Sequence, residues 1–161
     1  YIKDSMTGLY NRMGYQKLSE SYFSIMREKK IPVLVMFVDL DRLKYINDAF
    51  GHEYGDFAIV SIAKAMQKHC DADAITARTG GDEFIVLESA KDEEAGMLLA
   101  DKIRAELSAL REKMQLPFVL SASIGVVVAQ PGGENALESY VKRAEMLMYE
   151  EKTEKKVSRD S

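Results

Sequence analysis

Tryptophan is absent from this chain, cysteine occurs once and proline three times, and each scarcity removes an interpretation. The single thiol, Cys70, cannot close an internal disulfide, which excludes a small secreted scaffold held by cross-links. With no histidine and asparagine pattern around it, Cys70 reads as a packing residue at a helix end, in a reducing compartment. No apolar run reaches the length of a membrane span, and no basic-then-apolar leader opens the chain. The expectation is a soluble, cytoplasmic domain that makes no membrane contact of its own. Excess positive charge is missing too: the formal net charge is -4 and the sequence pI about 5.3. A nucleic-acid polymer held by bulk electrostatics is thereby excluded, while a small anion gripped by local basic groups is not.

What is present is 161 residues, 47% hydrophobic and 30% charged, enough for one globular core. Residues 1–161 are therefore expected to form a single domain. Because a motif is already under way at Tyr1, that domain is expected to come from a longer protein.

Turn-forming residues dominate Asp4 to Arg12, and the apolar spacing Tyr15, Leu18, Tyr22, Ile25, Met26 predicts a helix to about Lys30. Pro32 stops it. Val33 to Val38 is an unbroken apolar run with β-branched content, which predicts a strand covered on both faces and ending at Asp39-Leu40-Asp41. Leu43, Ile46, Asn47 and Phe50 return to helical spacing, and Gly51 to Gly55 interrupts it before a second helical run from Phe57 to Met66. Ile75 to Arg78 and Phe84 to Leu87 flank Gly80-Gly81, which predicts a hairpin with glycine supplying the positive φ of its turn. Lys91 to about Lys113 reads as a helix, Phe118 to Ala129 as a strand and Leu137 to about Glu151 as the last helix. The charged tail from Lys152 to Ser161 is expected to fray.

Set aside the first helix, and the order is strand, helix, strand, strand, helix, strand, the ferredoxin-like βαββαβ arrangement of an α+β fold with helices flanking an antiparallel sheet. The second hairpin strand then lies between the first strand and the first hairpin strand, which run parallel through a right-handed crossover. Topology thus brings Asp39 and Asp41 to the sheet edge that carries Asp82 and Glu83. Carboxylates gathered at one point raise each other's pKa unless a cation neutralises them, and Mg²⁺ suits such a set while leaving room for substrate phosphates.

Other residues keep two readings each. Lys44 either reaches a phosphate or is a solvated lysine. Asp56 either caps a helix after Gly55 or accepts the paired donors of a guanine edge, with Asn47 beside it. His52 reads as a turn or packing histidine. Lys152, Lys155 and Lys156 either offset the dipole of the last helix or fold back to hold phosphate at the metal edge.

Gly80-Gly81-Asp82-Glu83-Phe84 spells GGDEF, and the chain resembles the GGDEF domain of bacterial diguanylate cyclases along nearly its whole length. Asp4 to Arg12 is similar to that family's D-x-L-T-G-L-x-N-R lead-in, with Met6 for leucine. Phe37 to Asp56 is similar to its F-x-D-x-D-x-F-K-x-I-N-D-x-x-G-H-x-x-G-D block, and Ser121 to Val126 and Ala144 to Tyr149 to its two C-terminal blocks. The resemblance implies a polymerase-palm-like fold and condensation of two GTP into the second messenger cyclic di-GMP, with release of two pyrophosphates. It implies Mg²⁺ or Mn²⁺ held by Asp39, the Leu40 carbonyl, Asp82 and Glu83, with Asp82 and Glu83 catalytic. It further implies guanine binding by Asn47 and Asp56, and phosphate binding by Lys44, Lys152 and Lys156. Since one domain offers groups for one GTP, the working enzyme is expected to be a two-fold homodimer, joined to an N-terminal sensor domain.

Three departures qualify the resemblance. The family's inhibitory R-x-x-D is replaced by Asp71-Ala72-Asp73-Ala74, so no inhibitory site is expected. Leu43 replaces a phenylalanine, a tolerable apolar exchange. The block A-K-x-x-G-R-N becomes Glu151-Lys152-Thr153-Glu154-Lys155-Lys156-Val157, so Lys156 stands in place of an arginine fork. The second expectation, carried by that last change, is a weakly active or inactive domain that binds GTP or a partner.

Overall fold

The computed structural model describes residues 1–160. In chain order these form α1 (Arg12–Glu28), β1 (Val33–Leu40), α2 (Leu43–Phe50), α3 (His52–His69), β2 (Ile75–Arg78), β3 (Glu83–Ser89), α4 (Glu93–Met114), β4 (Ala122–Ala129) and α5 (Leu137–Asp160). The strands make one sheet in the order β2-β3-β1-β4, with β1 antiparallel to both β3 and β4. This is the expected α+β, ferredoxin-like arrangement, with β1 and β2 parallel across the intervening β3.

Every residue of β1 is buried, because helices cover both faces of the sheet. Leu34, Met36, Val38 and Leu40 pack with Ile62, Met66, Ile103 and Leu107 from α3 and α4. Val33, Val35 and Phe37 pack with Phe23 of α1 and Tyr140, Ala144 and Met148 of α5. The strand's alternation therefore feeds two cores, which is why its sequence shows an unbroken apolar run. α5 lies unusually close to β4: a Cβ at Gly125 would stand 1.8 Å from the Ala144 carbonyl oxygen, so only glycine admits the helix backbone there.

The lead-in segment adds to the outer side of β2, with Tyr10 N–H donating to the Thr76 carbonyl and Arg78 N–H to the Tyr10 carbonyl. That pairing covers a sheet edge that would otherwise be open. Asn11 then caps α1, its side chain accepting from Gly14 N–H at 2.8 Å.

Three expectations are corrected. Residues 152–160 do not fray: α5 runs on to Asp160, so the lysine cluster lies within the helix, while Ser161 lies outside the described residues. Lys152 and Lys155 find acceptors on the sheet and just past β1, and that pairing replaces the apolar contacts the tail lacks. β4 begins at Ala122 and not at Phe118, which enters the core through a non-strand segment. The hairpin glycines do not carry positive φ; among the described residues only Gly8 and Gly51 do so as glycines. Gly80 instead leaves room for the Glu83 side chain, since a Cβ there would stand 3.0 Å from a Glu83 carboxylate oxygen and would press on it.

Candidate active site

The site starts from strand register. Asp39 is the Cα partner of Glu83 across β1 and β3, and Leu40 N–H donates to the Asp82 carbonyl at 3.0 Å. The hairpin tip is held by its carbonyls: Arg12 donates to Thr79 O at 3.0 and 2.8 Å, and Arg78 to Gly81 O at 3.1 and 2.8 Å. Arg78 is itself tied to Asp4 at 3.3 Å. Two arginines thus fix the loop's backbone and leave its carboxylates uncommitted. Neither was singled out from the sequence, although Arg12 closes the lead-in motif and Arg78 adjoins the signature.

Asp39, Asp82 and Glu83 each offer a carboxylate oxygen, and these lie within 4.8 Å of one another. Burial drives the Asp39 pKa up to about 7; Lys152 opposes the rise and Asp82 adds to it. The Glu83 pKa is also raised, first by burial, then by the charges of Asp82 and Glu145, against Arg12 and Lys152. Asp39 Oδ1 is buried without a hydrogen-bond partner among the described residues. A cluster of this kind fits a hard divalent cation: it offers oxygen donors, an excess of negative charge and an unsatisfied lone pair.

Asp41, one residue past β1, has a different environment. Ser121 and Ser123 hydroxyls each donate to it at 2.7 Å, and Lys155 Nζ stands 2.7 Å from its Oδ2. Burial presses its pKa upward, but Lys155 and the two serines outweigh that and hold it below the usual value. Its lone pairs are engaged, so its part is structural.

Lys152 lies 3.2 Å from Asp39 Oδ1, 3.6 Å from Asp41 Oδ1 and 3.2 Å from the Leu40 carbonyl oxygen. The fold therefore carries it back to the carboxylate edge. On either side of it, Glu151 accepts from Ile124 N–H and from Arg104 at 2.6 Å, and Lys155 donates to Ala122 O at 2.9 Å. Both satisfy outward groups of β4, the sheet's other edge strand, and pin α5 beside the site. Lys156 is exposed on the same helix.

The remaining candidates lie on the crossover helices. Lys44 is exposed on α2 and pairs loosely with Asp48 at 3.6 Å. Asn47 packs into the space beside Gly55, where a Cβ would fall 1.8 Å from its Oδ1, and the exposed Asp56 follows directly. α3 begins at His52 with Gly51 as its cap, so Asp56 is a residue inside the helix and the capping reading is corrected. His52 is exposed in the first turn, and Cys70 caps the end of α3 with its thiol pushed up to about 12 by burial. A cleft of about 530 Å³ adjoins Glu83, lined among others by Arg12, Tyr15, Phe37 and Glu145.

Among the described residues, no helix is long and apolar enough to cross a membrane. The family model described as diguanylate cyclase, GGDEF domain, matches residues 1–158. The chain is 35% identical over 154 residues to Diguanylate cyclase VdcA of Vibrio cholerae serotype O1, covering 92% of this chain and 43% of that protein. It is 31% identical over 153 residues to Cyclic di-GMP phosphodiesterase PdeR of Escherichia coli K12, covering 91% of this chain and 22% of that one. The chain thus spans less than half the length of these curated relatives. A solved sensory box/GGDEF family protein from Caulobacter crescentus CB15 is similar with a TM-score of 0.80 at 30% identity, over 96% of this chain and 99% of that one. Its fold, its signature at the carboxylate edge and its match to the family from residue 1 to 158 identify this chain as a member of the diguanylate cyclase GGDEF-domain family.

Proposed function

We propose that this domain is a diguanylate cyclase half-site that condenses two GTP into cyclic di-GMP and releases two pyrophosphates. The observation that carries the reading is the cluster of Asp39, Asp82 and Glu83 carboxylate oxygens within 4.8 Å of one another, in which the buried Asp39 Oδ1 makes no hydrogen bond and faces Lys152 at 3.2 Å. Asp39, the Leu40 carbonyl, Asp82 and Glu83 would hold Mg²⁺ or Mn²⁺, which supplies charge stabilisation for the attacking and leaving oxygens when bound. Glu83, with its raised pKa, is suited to accept the proton of an attacking ribose 3′-hydroxyl. Lys152, Lys44 and Lys156 hold the triphosphate, and Asn47 and Asp56 read the guanine edge. Each domain contributes one nucleotide, so two domains face each other as a homodimer, and the greater length of the relatives supports a sensor segment that joins them.

The test is a product assay with GTP and Mg²⁺ or Mn²⁺ on protein fused to a dimerising segment. Cyclic di-GMP should form and should be lost in Asp82→Ala. Normal GTP binding with no product would sink the proposal. That outcome would favour the second reading, a GTP-binding regulatory module, which is motivated by the lysines replacing the glycine and arginine at 155 and 156.

A further inference from the structure

This acidic chain carries a cleft whose lining is basic. Its volume is about 610 Å³, and it lies between the start of α2, the segment before β4 and the end of α5. Arg42, Arg111, Lys155 and Arg159 line it, and Asp41 is the one acid among the lining residues. Asp41 is already answered by Lys155 at 2.7 Å and Lys152 at 3.6 Å, so it does not neutralise the arginines. None of Asp39, Asp82 and Glu83 lines this cleft.

Arg78 pairs with Asp4 and Arg104 with Asp101 and Glu151, whereas Arg12 and Arg27 donate to the backbone carbonyls of Thr79 and Asn135. Among the described residues, Arg42, Arg111 and Arg159 have no carboxylate in ion-pair contact. Two of them are nevertheless held in place. The Arg42 guanidinium stacks 4.1 Å over the Tyr45 ring, and Arg111 Nε donates to the Phe118 carbonyl at 3.0 Å. Arg111 therefore keeps its terminal amines for a ligand. Three like charges facing one cavity repel, and an anion with several oxygens relieves that repulsion while meeting the fork geometry of guanidinium. Tyr45 and Val119 add an apolar wall.

We propose that this cleft is a phosphate-binding subsite, separate from the carboxylate cluster, that takes a small polyphosphate anion. Pyrophosphate and the polyphosphate chain of a nucleotide share the chemistry it recognises. The inference does not depend on the catalytic reading above.

The probe is inorganic pyrophosphate, titrated calorimetrically into the full chain in chelator-containing buffer at low salt. Saturable binding should weaken roughly tenfold or more in Arg111→Glu/Arg159→Glu. It should stay within about twofold in Lys17→Ala/Lys102→Ala, which removes two exposed lysines of α1 and α4 that lie outside both the cleft and the proposed active site. Should the double reversal fail to fold by circular dichroism, Arg159→Glu alone, exposed on the last turn of α5, should still weaken binding several-fold. Parallel titrations separate the sources: GTP that binds with the same arginine dependence while guanosine does not bind makes the nucleotide chain an occupant, and pyrophosphate binding without GTP binding restricts the cleft to the free anion. Absence of saturable pyrophosphate binding, or binding indifferent to the arginine reversals, overturns the proposal.

Discussion

Asp39 and Asp41 leave the same strand two residues apart, and they are almost equally buried, at 8% and 5% exposure. Around Asp41 two hydroxyls and an ammonium engage the carboxylate, and its pKa falls. Around Asp39 one lysine stands off at 3.2 Å, Oδ1 finds no hydrogen bond and the pKa rises to about 7. Burial alone therefore does not distinguish a functional acid from a structural one. The difference lies in how far the lone pairs are already satisfied, and a buried carboxylate with a free one either takes a proton or takes a ligand.

The largest expected separation is in turnover. Asp39→Ala should reduce cyclic di-GMP formation by roughly a thousandfold or more, by loss of stabilisation at the reacting phosphate, while thermal stability stays level or rises. Liquid chromatography of the product beside a melting curve checks both halves, and retained activity within tenfold would overturn the assignment. Asp41→Ala should do the reverse. Loss of a hydrogen-bonded buried charge should cost about 2–3 kcal/mol in urea unfolding, leaving two serines without their acceptor and Lys155 without its counter-charge.

Acidity sharpens the same contrast. The raised Asp39 pKa means that the folded chain binds more protons than the unfolded one between its ordinary value of 3.8 and about 7. Its stabilising contribution is thus full below the lower value and lost as pH rises through the higher one, whereas that of Asp41 is present above 3.8 and lost as pH falls through its depressed pKa. Because a cation requires the ionised form, Mn²⁺ affinity measured calorimetrically should be roughly tenfold weaker at pH 6 than at pH 8. A flat profile would contradict the assignment of Asp39 as a ligand. The smallest effect expected is that of Glu151→Ala, which removes an acceptor from Arg104 and Ile124 and should cost about 1 kcal/mol in the same unfolding assay.

Much of this was legible in the chain before folding. The run Val33 to Val38 identified the central strand because helices on both faces leave no polar alternation to obscure it. The hairpin and the crossover then brought Asp39 to Glu83, since strand order follows from connection rules. The extension of α5 was not legible, because its lysines are stabilised by Leu40, Asp39, Asp41 and Ala122, all distant in sequence. The distinction between Asp39 and Asp41 was hidden for the same reason: it depends on Ser121 and Ser123 from another strand. Arg42, Arg111 and Arg159 carry no shared motif, and only the fold gathers them around one cavity.

The register pair Asp39 and Glu83 has an evolutionary consequence. The spacing between these acids is set by the hydrogen-bonded ladder of two adjacent strands, which no single surface substitution can alter. Lys156 sits exposed on a helix laid over that ladder, where it can be exchanged without disturbing a buried acid. A descendant of this chain can therefore change the charge of α5 while inheriting the distance between its acids unchanged.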